Sequence, residues 1–227
     1  DLCVNNGTTP PRSKANSADS NTKYTIYYMF ESFDQTSAAS GNDRKQYNNK
    51  YYDSDSRYKQ DLYQTNSLSA KQISGMSPVT TSSQSGTNNT MFLYYSRNRN
   101  RITFENLDEE IYTMTDIMFE QPLNAAFFNG RMASYTGKKE EWEFTDANGN
   151  KVKVMIPIPD TPSTYEEGSV VFAGWYTTPM CVDGTEYNFA DGFMPDAEVT
   201  LFAKWEPTYW DVIVYQEKPL DADNPPT

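Results

Sequence analysis

The clearest signal along the chain is the alternation of side chains at every second position. In YTIYYMFE, residues 24–31, Tyr24, Ile26, Tyr28 and Phe30 fall on one face, and Thr25, Tyr27, Met29 and Glu31 on the other. That period predicts a strand. Further strands are predicted at MFLYYSRN (91–98), RITFENL (101–107) and TDIMFEQPL (115–123), the last ended by Pro122. VVFAGWYTTP (170–179) and VTLFAKW (199–205) read the same way, with Val199, Leu201, Ala203 and Trp205 sharing a face. The sharpest local pattern is EEWEFTDANGNKVKVMIP (140–157). Trp142 and Phe144 alternate before a turn, and Val152, Val154 and Ile156 after it. The Asn148-Gly149 pair between them predicts a type I′ hairpin, whose two central residues both need positive φ.

Between these runs the chain is polar. Residues 5–22 are rich in Pro, Ser and Asn and read as a linker or leader. Ser32 to Gln64 carries scattered Tyr, including KYYDSDSRY at 50–58. SLSAKQISGM (67–76) reads as a helix or an irregular segment, with Ser67 as a cap and Gly75 as a terminator. SPVTTSSQSGTNNT (77–90) and IPDTPSTYEEG (158–168) read as loops. Three places share a short polar lead into an alternating strand: KYTIYY at 23–28, NRITFE at 100–105 and YWDVIVY at 209–215. They suggest module starts. The expected organisation is a linker over 1–22, a first module over 23–99, a second over 100–206, and the start of a third, or a linker, over 207–227. The chain opens at DLCVNN and stops at DADNPPT, which reads as a piece of a longer protein.

Composition sharpens the class. Aromatic residues make up 15% of the 227, and Tyr alone supplies 17. Rings and β-branched residues fit a pleated, half-buried surface, and Leu heptads are absent, so a mainly β fold is expected. The net charge of −12 argues against nucleic acid as a partner and against anionic membranes. No apolar run of 18 residues is present, so no membrane insertion is expected. The chain contains no His, which removes the commonest general base and metal ligand and argues against Ser-His and Cys-His hydrolases. Carboxylate-only chemistry stays open. The two cysteines, Cys3 and Cys181, form no metal-binding cluster. They either pair or stand as separate thiols.

At FAGWYTTP, YNF, MPDAEVTLFAKW the residues resemble a family. Phe172, Gly174, Trp175, Tyr176, Met194, Pro195, Thr200, Leu201, Ala203, Lys204 and Trp205 match the Listeria–Bacteroides repeat, also called the internalin B-repeat family. The likeness is strong over 170–206 and weaker over 101–123, where ITFENL and MFEQPL stand for the opening strands. Residues 124–160 stand as an insertion carrying the hairpin, and the family's Gly-Gly pair is missing from the opening strand. The first module resembles the mucin-binding-protein repeat. These resemblances imply β-grasp-like α+β modules, two in tandem with curved mixed sheets and little helix. They also imply a bacterial cell-surface setting.

Candidate chemistry is sparse. Trp175 and Trp205 read as core more than as a sugar platform, since each ring can bury roughly 150–250 Å². The main binding candidates are Tyr27, Tyr51, Tyr52 and Tyr58, with Tyr47 and Tyr63 beside them, because Tyr offers large contact area and a polar tip. Asp146, Asn148 and Asn150 begin a D-x-N-x-N calcium pattern, but Pro157 stands where the Glu ligand belongs. Asp183, Glu186 and Asp191 could hold only an adventitious cation. Glu140, Glu141 and Glu143 flank Trp142 and read as a solvated charged hairpin. An intact mass low by one ammonia or one water would register a Lys–Asn or Lys–Asp isopeptide bond, a device of some surface stalks. No catalytic residue, metal site or cofactor is assigned. The expectation is a non-catalytic extracellular segment of a cell-surface repeat protein, an adhesin or stalk meeting a host or neighbouring-cell protein or glycan. The alternative is a carbohydrate-binding or accessory module of a larger extracellular enzyme. A carboxylate-only enzyme is the third class.

Overall fold

The computed structural model of the protein describes residues 22–63 and 68–209. Cys3, Ser67 and nearly all of the third strand start at 209–215 lie outside them. The chain is mainly β with mixed open sheets, as the alternation predicts, and one helix stands among the described residues.

The first sheet takes its strands from the first half of the chain. They are β1 (Lys23–Glu31), β2 (Arg44–Tyr47), β3 (Lys50–Ser54), β4 (Gln60–Tyr63), β5 (Met76–Pro78), β6 (Gln84–Ser85) and β7 (Thr90–Arg97). Their order is β2-β3-β1-β7-β5, with β4 also pairing β1 and β6 also pairing β7. β1 and β7 run parallel at the centre, in register from Thr25 opposite Thr90 to Phe30 opposite Tyr95. A parallel pair at a sheet centre is covered on both faces, and the alternation of β1 divides accordingly. Ile26, Tyr28 and Phe30 pack with Leu93 and Tyr95 on one face; Tyr27 and Met29 pack with Tyr52, Phe92 and Tyr94 on the other.

The second sheet is built from β8 (Arg99–Asn106), β9 (Glu109–Met118), β12 (Val170–Tyr176) and β13 (Val199–Pro207), in the order β12-β13-β8-β9. Its first strand, β8, again lies central and parallel to its last, β13. β1 and β8 therefore hold equivalent places. Between β9 and β12 come the helix α1 (Ala125–Ala133) and the hairpin β10 (Lys139–Thr145) and β11 (Lys151–Pro157). Phe128 and Met132 of α1 join Val154 and Ile156 of β11 in one core with Phe104, Trp175 and Leu201. Residues 124–160 thus supply core to the second sheet.

Two local expectations change and one is decided between its alternatives. The Asn148-Gly149 turn is not type I′, because only Gly149 has positive φ, at +82°. Gly149 N–H donates to the Asp146 carbonyl, and Asp146 N–H to the Asn150 carbonyl, each at 2.9 Å. This is a three-residue loop with glycine in the left-handed place, and the Asp146 carboxylate, accepting the Asn148 and Asn150 N–H groups, decides it. Of the two readings of 67–76, the irregular one holds over 68–76: Leu68, Ile73 and Met76 point into the first core, and β5 begins at Met76. The helix lies at 125–133 instead, capped by Asn124, whose Oδ1 accepts the Phe127 N–H at 3.1 Å. The strand predicted over 115–123 stops at Met118, because Glu120 is left-handed (φ 60°) and Phe119 turns away.

Phe119 turns into the other half. Its ring is buried in the first core, and its N–H donates to the Asn98 carbonyl at 2.8 Å. It fits because Gly75 (φ +72°) leaves room: a Cβ there would stand 2.2 Å from the ring. Asn98 alone separates β7 from β8, and its N–H returns to the Gly75 carbonyl at 2.9 Å. Ion pairs brace this junction. The Arg97 guanidinium lies 4.3 Å from the Phe33 ring centroid and bonds Glu120 at 2.6 Å and the Glu31 carbonyl at 2.9 Å. The buried Glu31 carboxylate accepts from Lys50 at 2.8 Å and Arg99 at 2.9 Å. Asn98 at the seam reaches Asp196, and within the second half Asn100 donates to the Pro195 carbonyl.

Truncating Phe119 to Ala opens a cavity in the first core and should cost about 3–5 kcal/mol. Gly75→Ala should also destabilise, through both its φ and the ring it meets. Urea unfolding followed by circular dichroism measures both. Burial alone raises the Glu31 carboxyl, but the Lys50 hydrogen bond and the Arg99 charge outweigh it and hold its pKa below the ordinary value. A depressed carboxylate stabilises the fold above its unfolded pKa, about 4.3, and loses that contribution as pH falls through the folded value. Glu31→Gln should therefore cost on the order of 2 kcal/mol near neutral pH. The gap to the parent chain should close in acid, which unfolding curves between pH 7 and pH 2 will register.

Candidate aromatic cleft

FAGWY owes its geometry to one bulge. β12 pairs β13 with Phe172 opposite Trp205 and Gly174 opposite Lys204, so Ala173 is an extra residue in the ladder. Gly174 carries the bulge with φ +129°. In a regular strand Phe172 and Trp175 would point to opposite faces. The extra residue puts them on the same face, with ring centroids 5.4 Å apart. Trp175 is fully buried edge-on to Phe104, and its indole N–H donates to the Pro157 carbonyl at 2.9 Å. Trp205, half-buried on the facing strand, donates to Asn106 Oδ1 at 2.9 Å. Both rings are committed to the fold, as the core reading expects.

Trp142 differs. It is half-buried on β10, packs on Phe172 at 5.4 Å, and rests over Gly174, where an added Cβ would come 3.7 Å from its ring. Among the described residues its indole N–H has no hydrogen-bond partner. Two concavities meet at this ring. One, of about 170 Å³, is lined by Trp142, Phe144, Trp175, Tyr176, Glu186 and Tyr187. The Tyr187 hydroxyl is buried without a hydrogen-bond partner among the described residues, and burial pushes its pKa up. The other, of about 320 Å³, opens between the hairpin and β12–β13. Its floor is Trp142, Phe172 and Trp205, and its rim carries Lys138, Glu140 and Asp160.

Alternation in β10 explains the rim. Glu140, Trp142 and Phe144 share a face; Glu141 and Glu143 take the other, where they pair with Lys153 at 2.7 Å and Lys151 at 3.5 Å. The charged-hairpin reading holds for those two, while Glu140 stands beside the indole. The side chains of Lys138, Glu140 and Asp160 make no ion pair among the described residues, unlike most cations of the junction.

The four tyrosines singled out earlier do not converge. Tyr27 is buried, stacked on Phe92 at 5.4 Å under the Lys59 ammonium. Tyr52 is buried on the same face, edge-on to Tyr94, where half-buried Tyr47 also stacks. Tyr58 packs on the opposite face beside Tyr28 and Phe30. Tyr51 is half-buried, 5.1 Å from the Arg44 guanidinium, and Tyr63 is the exposed one. They are sheet rings more than a contact face. Asp146 organises its own turn, and among the described residues no cluster of three His, Cys, Asp or Glu could hold a metal ion. Cys181 is half-buried, and burial raises its thiol; its pairing with Cys3 lies outside the described residues. Among the described residues no helix is long and apolar enough to cross a membrane.

Fold and site together define a mainly β protein of mixed sheets with an aromatic-floored cleft beside a hairpin. No family model matches the chain, and no curated protein matches it by sequence.

The two kinds of tryptophan should separate in unfolding experiments. Trp175→Ala should cost about 3–5 kcal/mol. Trp142→Phe, which keeps a ring against Phe172, should cost less than about 1.5 kcal/mol. Urea titrations monitored at 222 nm distinguish them.

Proposed function

We propose that this chain is a non-catalytic, extracellular segment of a bacterial cell-surface repeat protein. It works as an adhesin or stalk that displays or binds a protein or glycan partner. The observation that carries the reading is the junction. A single residue, Asn98, joins the two sheets, and Phe119, Arg97 and Glu31 clamp them. A segment so joined holds its loops and clefts in fixed relation, as display and contact require. The resemblance of FAGWYTTP and LFAKW to the Listeria–Bacteroides repeat points the same way. So does the acidic composition, which keeps such a surface soluble. The second reading, an accessory carbohydrate-binding module of a larger extracellular enzyme, is favoured by the cleft around Trp142.

An antibody raised against the chain tests the location. It should label intact, unpermeabilised cells of the source bacterium, and brief protease treatment of those cells should remove the label. Labelling seen only after permeabilisation would overturn the reading.

A further inference from the structure

We propose that the 320 Å³ cleft between the β10–β11 hairpin and β12–β13 is a saccharide-binding site, with Trp142 as its stacking platform. This rests on the surface-segment reading and names the partner class. A pyranose has one face of C–H bonds and a rim of hydroxyls, each both donor and acceptor. The C–H face suits the negative face of an aromatic ring, and Trp142, Phe172 and Trp205 supply a floor of such rings. The hydroxyls need donors and acceptors close together. The Trp142 indole N–H and the Lys138 ammonium donate; the Glu140 and Asp160 carboxylates accept; none is committed elsewhere among the described residues. A protein whose surface cations mostly pair with carboxylates leaves these groups free at one aromatic cleft. The volume lies at the lower end of the range for small-ligand sites, about 300–1,000 Å³, so it takes a short stretch of a glycan. Two carboxylates against one ammonium, on a chain of net charge −12, select neutral or amino sugars over acidic ones.

The described roles of the other two tryptophans sharpen the assignment. Trp175 is enclosed, Trp205 spends its N–H on Asn106, and Trp142 alone of the three keeps both a free N–H and an accessible ring.

The test is an array of neutral, amino and acidic oligosaccharides probed with the whole chain, followed by calorimetric titration of the best binders. Binding to neutral or amino glycans is expected. Trp142→Ala should weaken it at least ten-fold and Glu140→Ala several-fold, while Met180→Ala, at an exposed side chain outside the cleft, leaves it unchanged. Glu140 is exposed, so its variant keeps the parent thermal midpoint and stays informative even if Trp142→Ala unfolds. The proposal is overturned if no glycan is retained at millimolar concentration, if acidic glycans are preferred, or if the Glu140→Ala and Trp142→Ala chains bind like the parent. Any of these, with surface labelling intact, would leave the surface-segment reading standing and remove only the saccharide site.

Discussion

A ring that belongs by sequence to one half of the chain fills the core of the other. Phe119 follows the last residue of β9, yet it is buried among Phe30, Tyr95 and their neighbours, in a space that exists because Gly75 lacks a side chain. Much else is arranged around that insertion. Glu120 adopts a left-handed backbone so the chain can turn, and its carboxylate then meets Arg97. Arg97, in turn, covers aromatic rings and holds the Glu31 carbonyl. Glu31 is a charge that would be costly to bury alone; Lys50 and Arg99, from either side of the seam, make it tolerable. Apolar burial supplies the attraction here, and the ion pairs fix the angle at which the halves meet.

The second half depends on a comparable economy of backbone. One extra residue at Ala173 rotates Phe172 onto the face of Trp175. Phe172 then sits between Trp142 and Trp205, so a chain of three rings crosses from hairpin to sheet. The cleft is a by-product of this packing: hairpin and sheet meet through rings, and rings do not close the space at their edges. The same rings that hold hairpin and sheet together therefore line the cleft, and of the three indoles described only that of Trp142 has no hydrogen-bond partner among the described residues.

Much of the scaffold was legible. Period-two alternation located the strands because each face of a strand meets its own surroundings: β8 turns Ile102 and Phe104 into one core and Arg101 outward, and the two faces of β1 separate into two clusters. The core role of Trp175 and Trp205 was legible from their strand positions. What failed was chemistry that alternation does not carry. The helix at 125–133 hides in a short run, though Asn124 before Ala-Ala and the Phe128/Met132 spacing signal it in retrospect. Asn-Gly suggested the wrong turn because the Asp146 side chain, not the dipeptide, sets the loop. Large contact area and a polar tip suggest Tyr as a contact residue, whereas this sheet buries Tyr27 and Tyr52 as stacked and edge-on rings. The cleft was missed because it joins residues far apart in sequence. Only the shared face of Glu140 and Trp142 could have hinted at it.

The borrowed ring also bears on how such a chain can be rearranged over evolutionary time. A duplication or exchange that copied residues 23–98 would transmit every strand of the first sheet and still deliver an incomplete core. The heritable unit runs past the visible seam, to about residue 120, and includes a strand pair of the following sheet. A neighbour without a large apolar side chain at that place, opposite Gly75, would leave a cavity in the first core.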